Sequence, residues 1–95
     1  MNTTDTSRKG DIAELIAVTW LLEQGYEVFR NVGCTGKIDL VAVKDGEIRL
    51  IDVKTVIYRM DHGELTPGAN KAKKGVERLL VDIPTHKVSW RMIDF

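Results

Sequence analysis

The 95-residue chain has a single cysteine, Cys34, and only two prolines. A lone cysteine forms no internal disulfide, and a zinc site needs a cluster of ligands that is absent here. A reducing cytoplasm is the expected setting. Two prolines among eight glycines exclude collagen-like and low-complexity classes. No apolar run approaches the ~18 residues of a membrane span. The opening Met1-Asn2-Thr3-Thr4-Asp5 lacks the apolar stretch of a secretory leader. Net charge is zero, from fourteen basic and fourteen acidic side chains. That balance argues against a nucleic-acid coat protein. It leaves open an enzyme acting on nucleic acid, because such a site also needs carboxylates.

Hydrophobic residues make up 43% and charged residues 29%, the mixture of one globular domain over residues 1–95. Residues 1–6 read as a frayed tail. A chain this short buries roughly 60–65% of its unfolded surface, so a homodimer is expected to supplement the core. Charge is unevenly spread. Residues 1–53 carry six basic and nine acidic side chains, and residues 54–95 carry eight and five. The densest basic run, Lys71, Lys73 and Lys74, reads either as a solvated segment or as a set of phosphate contacts.

Ser7 is a candidate cap for a helix running to about Gln24, with Gly25 just past its end. Ile12, Leu15, Ile16 and Thr19 form one apolar stripe. Ala13, Ala17, Trp20 and Leu21 form a second, so the helix packs on more than one side. One flank is expected to cover a sheet. The other, with Trp20 and Leu21 as its large members, is expected to be left for a second copy. Residues 26–31, 38–43 and 48–56 read as strands. Asp45-Gly46 between two apolar runs is a strong hairpin signal. Residues 58–75 are polar and hard to assign. After them, Ala72, Val76, Leu79, Leu80 and Ile83 could form a helix face. Gly75 and Pro84-Thr85 favour a strand pair instead, 76–83 with 87–93.

A two-residue Asp45-Gly46 loop sets the register so that paired numbers sum to 91. Asp39 then falls opposite Asp52, and Lys37 opposite Lys54, all four on one face. Val41, Val43, Ile48 and Leu50 share that face. Ile38, Leu40, Ala42, Ile51 and Val53 occupy the other, so the hairpin is apolar on both sides, as a central strand pair is. Two facing carboxylates repel and need a compensating charge. Lys54 supplies one positive charge, and a divalent cation supplies two. Mg²⁺ suits such oxygen ligands, with Mn²⁺ as a substitute. The alternative is an ion-paired network of the same four residues at a sheet end. Glu14 is a third acid, lying between the two helix stripes, or else a solvated residue. Arg8 and Lys9 stand near the helix N-terminus, where anions are favoured. His62, His86 and a Cys34-based thiol site have little to support them.

The sequence of Asp39, twelve residues, then Asp52-Val53-Lys54 resembles the PD-(D/E)XK nuclease superfamily. Arg8-Lys9-Gly10-Asp11-Ile12-Ala13-Glu14 resembles the start of archaeal-type Holliday junction resolvases. Ile51-Asp52-Val53-Lys54-Thr55 is similar to a segment of group I intron-associated endonucleases, which tend to carry Gln where Asp52 stands. The first motif commonly reads Pro-Asp, and here it is Ile38-Asp39. The resemblance implies a restriction-endonuclease-like α/β core, an N-terminal helix on a mixed central β-sheet. It implies Mg²⁺ held by Asp39, Asp52, the Val53 carbonyl and Glu14, with Lys54 orienting the attacking water. DNA would be contacted by Arg8, Lys9, Thr35, Lys37, Lys71, Lys73 and Lys74. Thr35 or Cys34 stands where resolvases carry a loop serine. The implied function is a metal-dependent DNA endonuclease, junction-selective or nicking as in homing, with no small-molecule cofactor and no membrane partner. Phages and mobile elements commonly carry nucleases this small. An exonuclease or repair nuclease of the same fold, and a non-catalytic DNA-binding module, are the other readings.

Overall fold

The computed structural model describes residues 3–33, 35–61, 64–68 and 75–95, with side chains described for 7–33, 35–57 and 75–95. Helix α1 (Thr3–Glu23) is followed by strands β1 (Glu27–Arg30), β2 (Leu40–Lys44) and β3 (Glu47–Thr55). Next come β4 (Ile57–Asp61), β5 (Glu64–Gly68), β6 (Glu77–Asp82) and β7 (Lys87–Ser89), then a single 3-10 turn, Met92–Asp94. The helix begins at Thr3, so Ser7 lies inside it rather than capping it, and residues 3–6 are helical rather than frayed.

The main sheet has the order β1-β2-β3-β6-β7, and β4 and β5 form a separate antiparallel pair. All main-sheet neighbours are antiparallel except β3 and β6, which run parallel. A parallel pair cannot be joined by a tight turn. The connection between β3 and β6 carries the β4–β5 pair. The polar residues 58–68 therefore contain two strands that alternation alone did not reveal. The chain end forms the strand pair expected, β6 with β7, in place of the helix alternative.

The Asp45-Gly46 loop has both residues at positive φ, +52° and +80°, the backbone of a two-residue primed turn. Its register runs from Lys44↔Glu47 to Leu40↔Ile51, so the paired numbers do sum to 91. The end of α1 is equally explicit. Gly25 adopts φ +93°, its N–H donates to the Leu22 carbonyl at 3.0 Å, and the Tyr26 N–H donates to that of Leu21 at 3.0 Å. This is a Schellman closure, and it needs a residue tolerant of the left-handed region. Lys44, at the hairpin, donates its Nζ to the Gln24 carbonyl at 2.7 Å. It supplies a cation at a helix end whose own last turn has no basic residue. Gly25→Ala is expected to lower stability by roughly 1–2 kcal/mol, from the left-handed backbone alone. A fall in the urea midpoint at unchanged slope is the measurement that checks it.

The core lies between α1 and one face of the sheet. Ala13, Ala17 and Leu21, spaced four apart, are buried against Leu40, Ala42, Ile51, Leu79 and Val81. The two alanines let the helix approach closely, and Leu21 fills the space beyond them. Trp20 is half-buried, edge-on to Trp90 with ring centroids 6.0 Å apart. This corrects the expected division of the helix. The flank bearing Trp20 and Leu21 is the one that covers the sheet. The open flank is the other, where Ile12, Leu15 and Leu22 are 38%, 56% and 56% exposed.

The sheet face away from α1 is only partly closed. Leu80 is buried there, Val41, Val43 and Leu50 are half-buried, and Phe29 and Ile48 are exposed. The hairpin is thus fully covered on one side alone. At the chain end the Ser89 hydroxyl donates to Asp94, tying the last turn to β7. That bond, with Arg91, holds the Asp94 carboxyl below its ordinary range. A depressed carboxyl stabilises above its unfolded pKa and loses that contribution as pH falls through the folded value.

Candidate active site

The regular β2–β3 ladder stops at Leu40↔Ile51, and the chain departs from it at Asp39. The Asp39 N–H donates to the Ile51 carbonyl at 2.8 Å, and its own carbonyl accepts the Asn31 N–H at 2.9 Å. Its carboxylate Oδ2 accepts the Val53 N–H at 2.8 Å. The side chain thus takes over from the main chain as acceptor, fastening Asp39 beside the Asp52-Val53-Lys54 segment. Lys37 does not continue the ladder opposite Lys54. It lies exposed in the loop between β1 and β2.

That loop is organised by Asn31. Its Nδ2 donates to the Thr35 carbonyl at 2.7 Å and to the Ile38 carbonyl at 2.9 Å. Asparagine at a strand end before a glycine-containing turn suits such main-chain bridging. Nothing in the spacing of the acids singled it out. Thr35 is exposed on the same loop, and Cys34 lies outside the described residues.

On β3, Ile51 points into the α1 core, so alternation turns Asp52 and Lys54 to the opposite face. Asp52 is 4% exposed, and the Lys54 Nζ stands 3.9 Å from its Oδ2. A carboxylate this far from water needs compensating charge or hydrogen bonds. The parallel register then places Arg78 of β6 beside Asp52. Leu79 and Val81 face the core, so Arg78 shares the face of Asp52. A transverse row of acid and arginine results, legible only once β6 is known to lie next to β3.

Glu14, on α1, is joined to Arg30 of β1, whose Nε donates to Oε1 at 2.7 Å. Sequence reading did not assign Arg30 a part, because helix-to-strand contacts have no fixed spacing. Among the described residues, no three His, Cys, Asp or Glu side chains are gathered closely enough to hold a metal. The structure therefore brings Asp39 to the Asp52-Val53-Lys54 segment and gives Glu14 a basic partner. Lys9 and Lys54 share one cleft of about 590 Å³, lined also by Val53, Val56, Ile83 and Pro84. Arg8, the residue before Lys9 on α1, is exposed. Lys71, Lys73 and Lys74 lie outside the described residues.

A one-helix, mixed-sheet core with an acid just before one strand and acid-x-lysine on the next is the frame of a nuclease-like domain. Over residues 4–82 the chain matches the PD-(D/E)XK endonuclease family, and it belongs to that family. It is 36% identical over 78 residues to a UPF0102 protein of Roseiflexus castenholzii, covering 80% of this chain and 62% of that protein. Among solved structures it is similar to the bacterial homing endonuclease I-Ssp6803I, at a TM-score of 0.68 and 23% identity. That superposition covers 93% of this chain and 64% of the other. The chain thus spans just under two thirds of each relative's length. No helix among the described residues is long and apolar enough to cross a membrane.

Proposed function

We propose that this domain is a metal-dependent deoxyribonuclease that hydrolyses internal phosphodiester bonds. The observation that carries the reading is the fastening of Asp39 to the Val53 amide, next to buried Asp52 and its Lys54. The donor set fits a hard divalent cation. Mg²⁺ retains several waters and is commonly held by one or two carboxylates, so the Glu14–Arg30 ion pair does not disqualify the site. Asp39 and Asp52 would hold the ion, with the Val53 carbonyl as a third oxygen. Glu14 would join directly or through water on release from Arg30. When bound, the ion lowers the pKa of a coordinated water and stabilises charge growing at phosphorus. Lys54 orients the attacking water and faces the phosphate. Lys9, across the cleft, meets the backbone of the substrate strand, with Arg8, Thr35 and Lys37 around it. Lys71, Lys73 and Lys74 would extend that contact.

Incubating the protein with duplex, nicked, flapped, single-stranded and four-way-junction DNA, with Mg²⁺, Mn²⁺ or EDTA, tests the reading. Internal cuts that need a divalent ion support it, and preference among substrates separates junction resolution from nicking. Release of mononucleotides from ends supports an exonuclease. DNA binding without any cleavage overturns the enzymatic reading.

A homodimer through the open flank of α1 belongs to the same proposal. Ile12, Leu15, Thr19 and Leu22 follow the 3-4-3 spacing of a helix–helix seam. Beside it lies a hollow of about 290 Å³ lined by Ile16 and Trp20 as well. An antiparallel second copy brings the Arg8–Lys9 turn of each helix toward Glu23 at the end of the other. Sedimentation at micromolar concentration is expected to give twice the 10.7 kDa chain mass, with Leu15→Glu splitting it. A single species at the chain mass rejects the interface.

A further inference from the structure

Arg78 lies outside every motif considered above, yet it completes the row of charges that begins at Asp39. It is the register neighbour of Asp52 across β3 and β6, and it shares that residue's face. Lys54 stands one step along, level with Leu80. The Arg78 Nη1 is buried and, among the described residues, meets no hydrogen-bond acceptor. A buried charged donor left unsatisfied is costly, more so than for a neutral group. Natural folds retain such a group where a ligand or a functional role compensates for it. Arginine is also the side chain best shaped to grip phosphate oxygens in a fork.

From this geometry we infer that Arg78 is a substrate-binding residue that receives a phosphate oxygen of the DNA strand lying across the carboxylates. The inference rests on the nuclease reading of the site and adds a residue to it. The acids at one end of the row repel a bare phosphate. The guanidinium at the other end attracts it, so the row orients the strand as well as binding it. Arg78 as a whole is half-buried, so a turn of its side chain presents the guanidinium to a strand laid over this face. The ligand-free protein carries the unsatisfied donor, and the DNA complex satisfies it.

The test uses the full chain with Asp52→Asn in the background, so that a duplex oligonucleotide and a four-way junction stay uncut. Arg78→Gln is expected to weaken binding roughly tenfold or more. It is also expected to reduce the slope of log affinity against log salt by about one. Arg78→Lys should restore the slope but only part of the affinity, since it keeps the charge and loses the fork. Without DNA, Arg78→Gln should unfold at the same or a higher urea concentration, because the orphaned donor is gone. A lower urea midpoint with unchanged DNA affinity and salt slope would show a purely structural arginine and overturn the inference. Parent protein that cleaves normally beside an Arg78→Gln variant of unaltered binding rejects Arg78 alone. Parent protein that neither binds nor cuts any of these DNAs rejects the nuclease reading and the inference with it.

Discussion

Asp52→Asn is expected to reduce DNA cleavage by roughly 10³-fold or more while the chain stays folded. Asp52 is almost wholly buried with the Lys54 Nζ 3.9 Å from its carboxylate, and replacing that carboxylate by an amide of the same shape removes a buried negative charge. The substitution is isosteric, and urea unfolding of the variant beside its cleavage rate shows that loss of turnover reads on chemistry. Asp39→Asn should fall as far, because its amide oxygen can still accept the Val53 N–H. Asp39→Ala differs instructively. It leaves that amide without its acceptor, at a cost of about 1–3 kcal/mol, on top of the lost activity. Single-turnover cleavage beside urea unfolding separates the two effects. Full turnover in either asparagine variant would reject the assignment of the carboxylates.

Lys54→Ala carries the second large expectation, a loss of roughly 10²–10⁴-fold in the rate of the chemical step. Lys54 is 40% exposed at the mouth of the cleft it shares with Lys9, so its ammonium can reach both water and phosphate. Its pairing with Asp52 is long and part-solvated, so the ion pair contributes little stability. The deficit should appear in the rate at saturating DNA, with affinity changed far less. Lys54→Arg should not rescue it, since a planar guanidinium cannot occupy the place of a compact ammonium. A variant that cuts at the parental rate, or that loses only affinity, would make Lys54 a phosphate contact and nothing more. Lys9→Ala provides the comparison, with a loss confined to binding.

The elements legible in the sequence were those governed by neighbours in the chain. Asp45-Gly46 could adopt a primed turn, and a two-residue loop leaves a single register, so the β2–β3 pairing followed by arithmetic. Gly25 marked the helix end because few other residues tolerate its φ. The acid-x-lysine segment and the placement of Asp52 and Lys54 on one face followed from strand alternation.

Other features depended on which distant surfaces met. The spacing of α1 showed two apolar flanks of similar character, and only packing chose between them. Ala13 and Ala17 permit a closer approach to the sheet than the bulkier Ile12 and Leu15 flank does, so the larger side chains were left outside. The same holds for Asp39. Alternation placed it opposite Asp52, but the Asn31-bridged loop drew its main chain off the ladder and turned its carboxylate to the Val53 amide. Arg30 on Glu14, and Arg78 beside Asp52, depend on contacts between residues sixteen or more positions apart. Local backbone preference is written residue by residue and is therefore readable. The parallel β3–β6 pairing closes a long connection whose cost is repaid by burial of the whole core, so no short stretch of sequence encodes it.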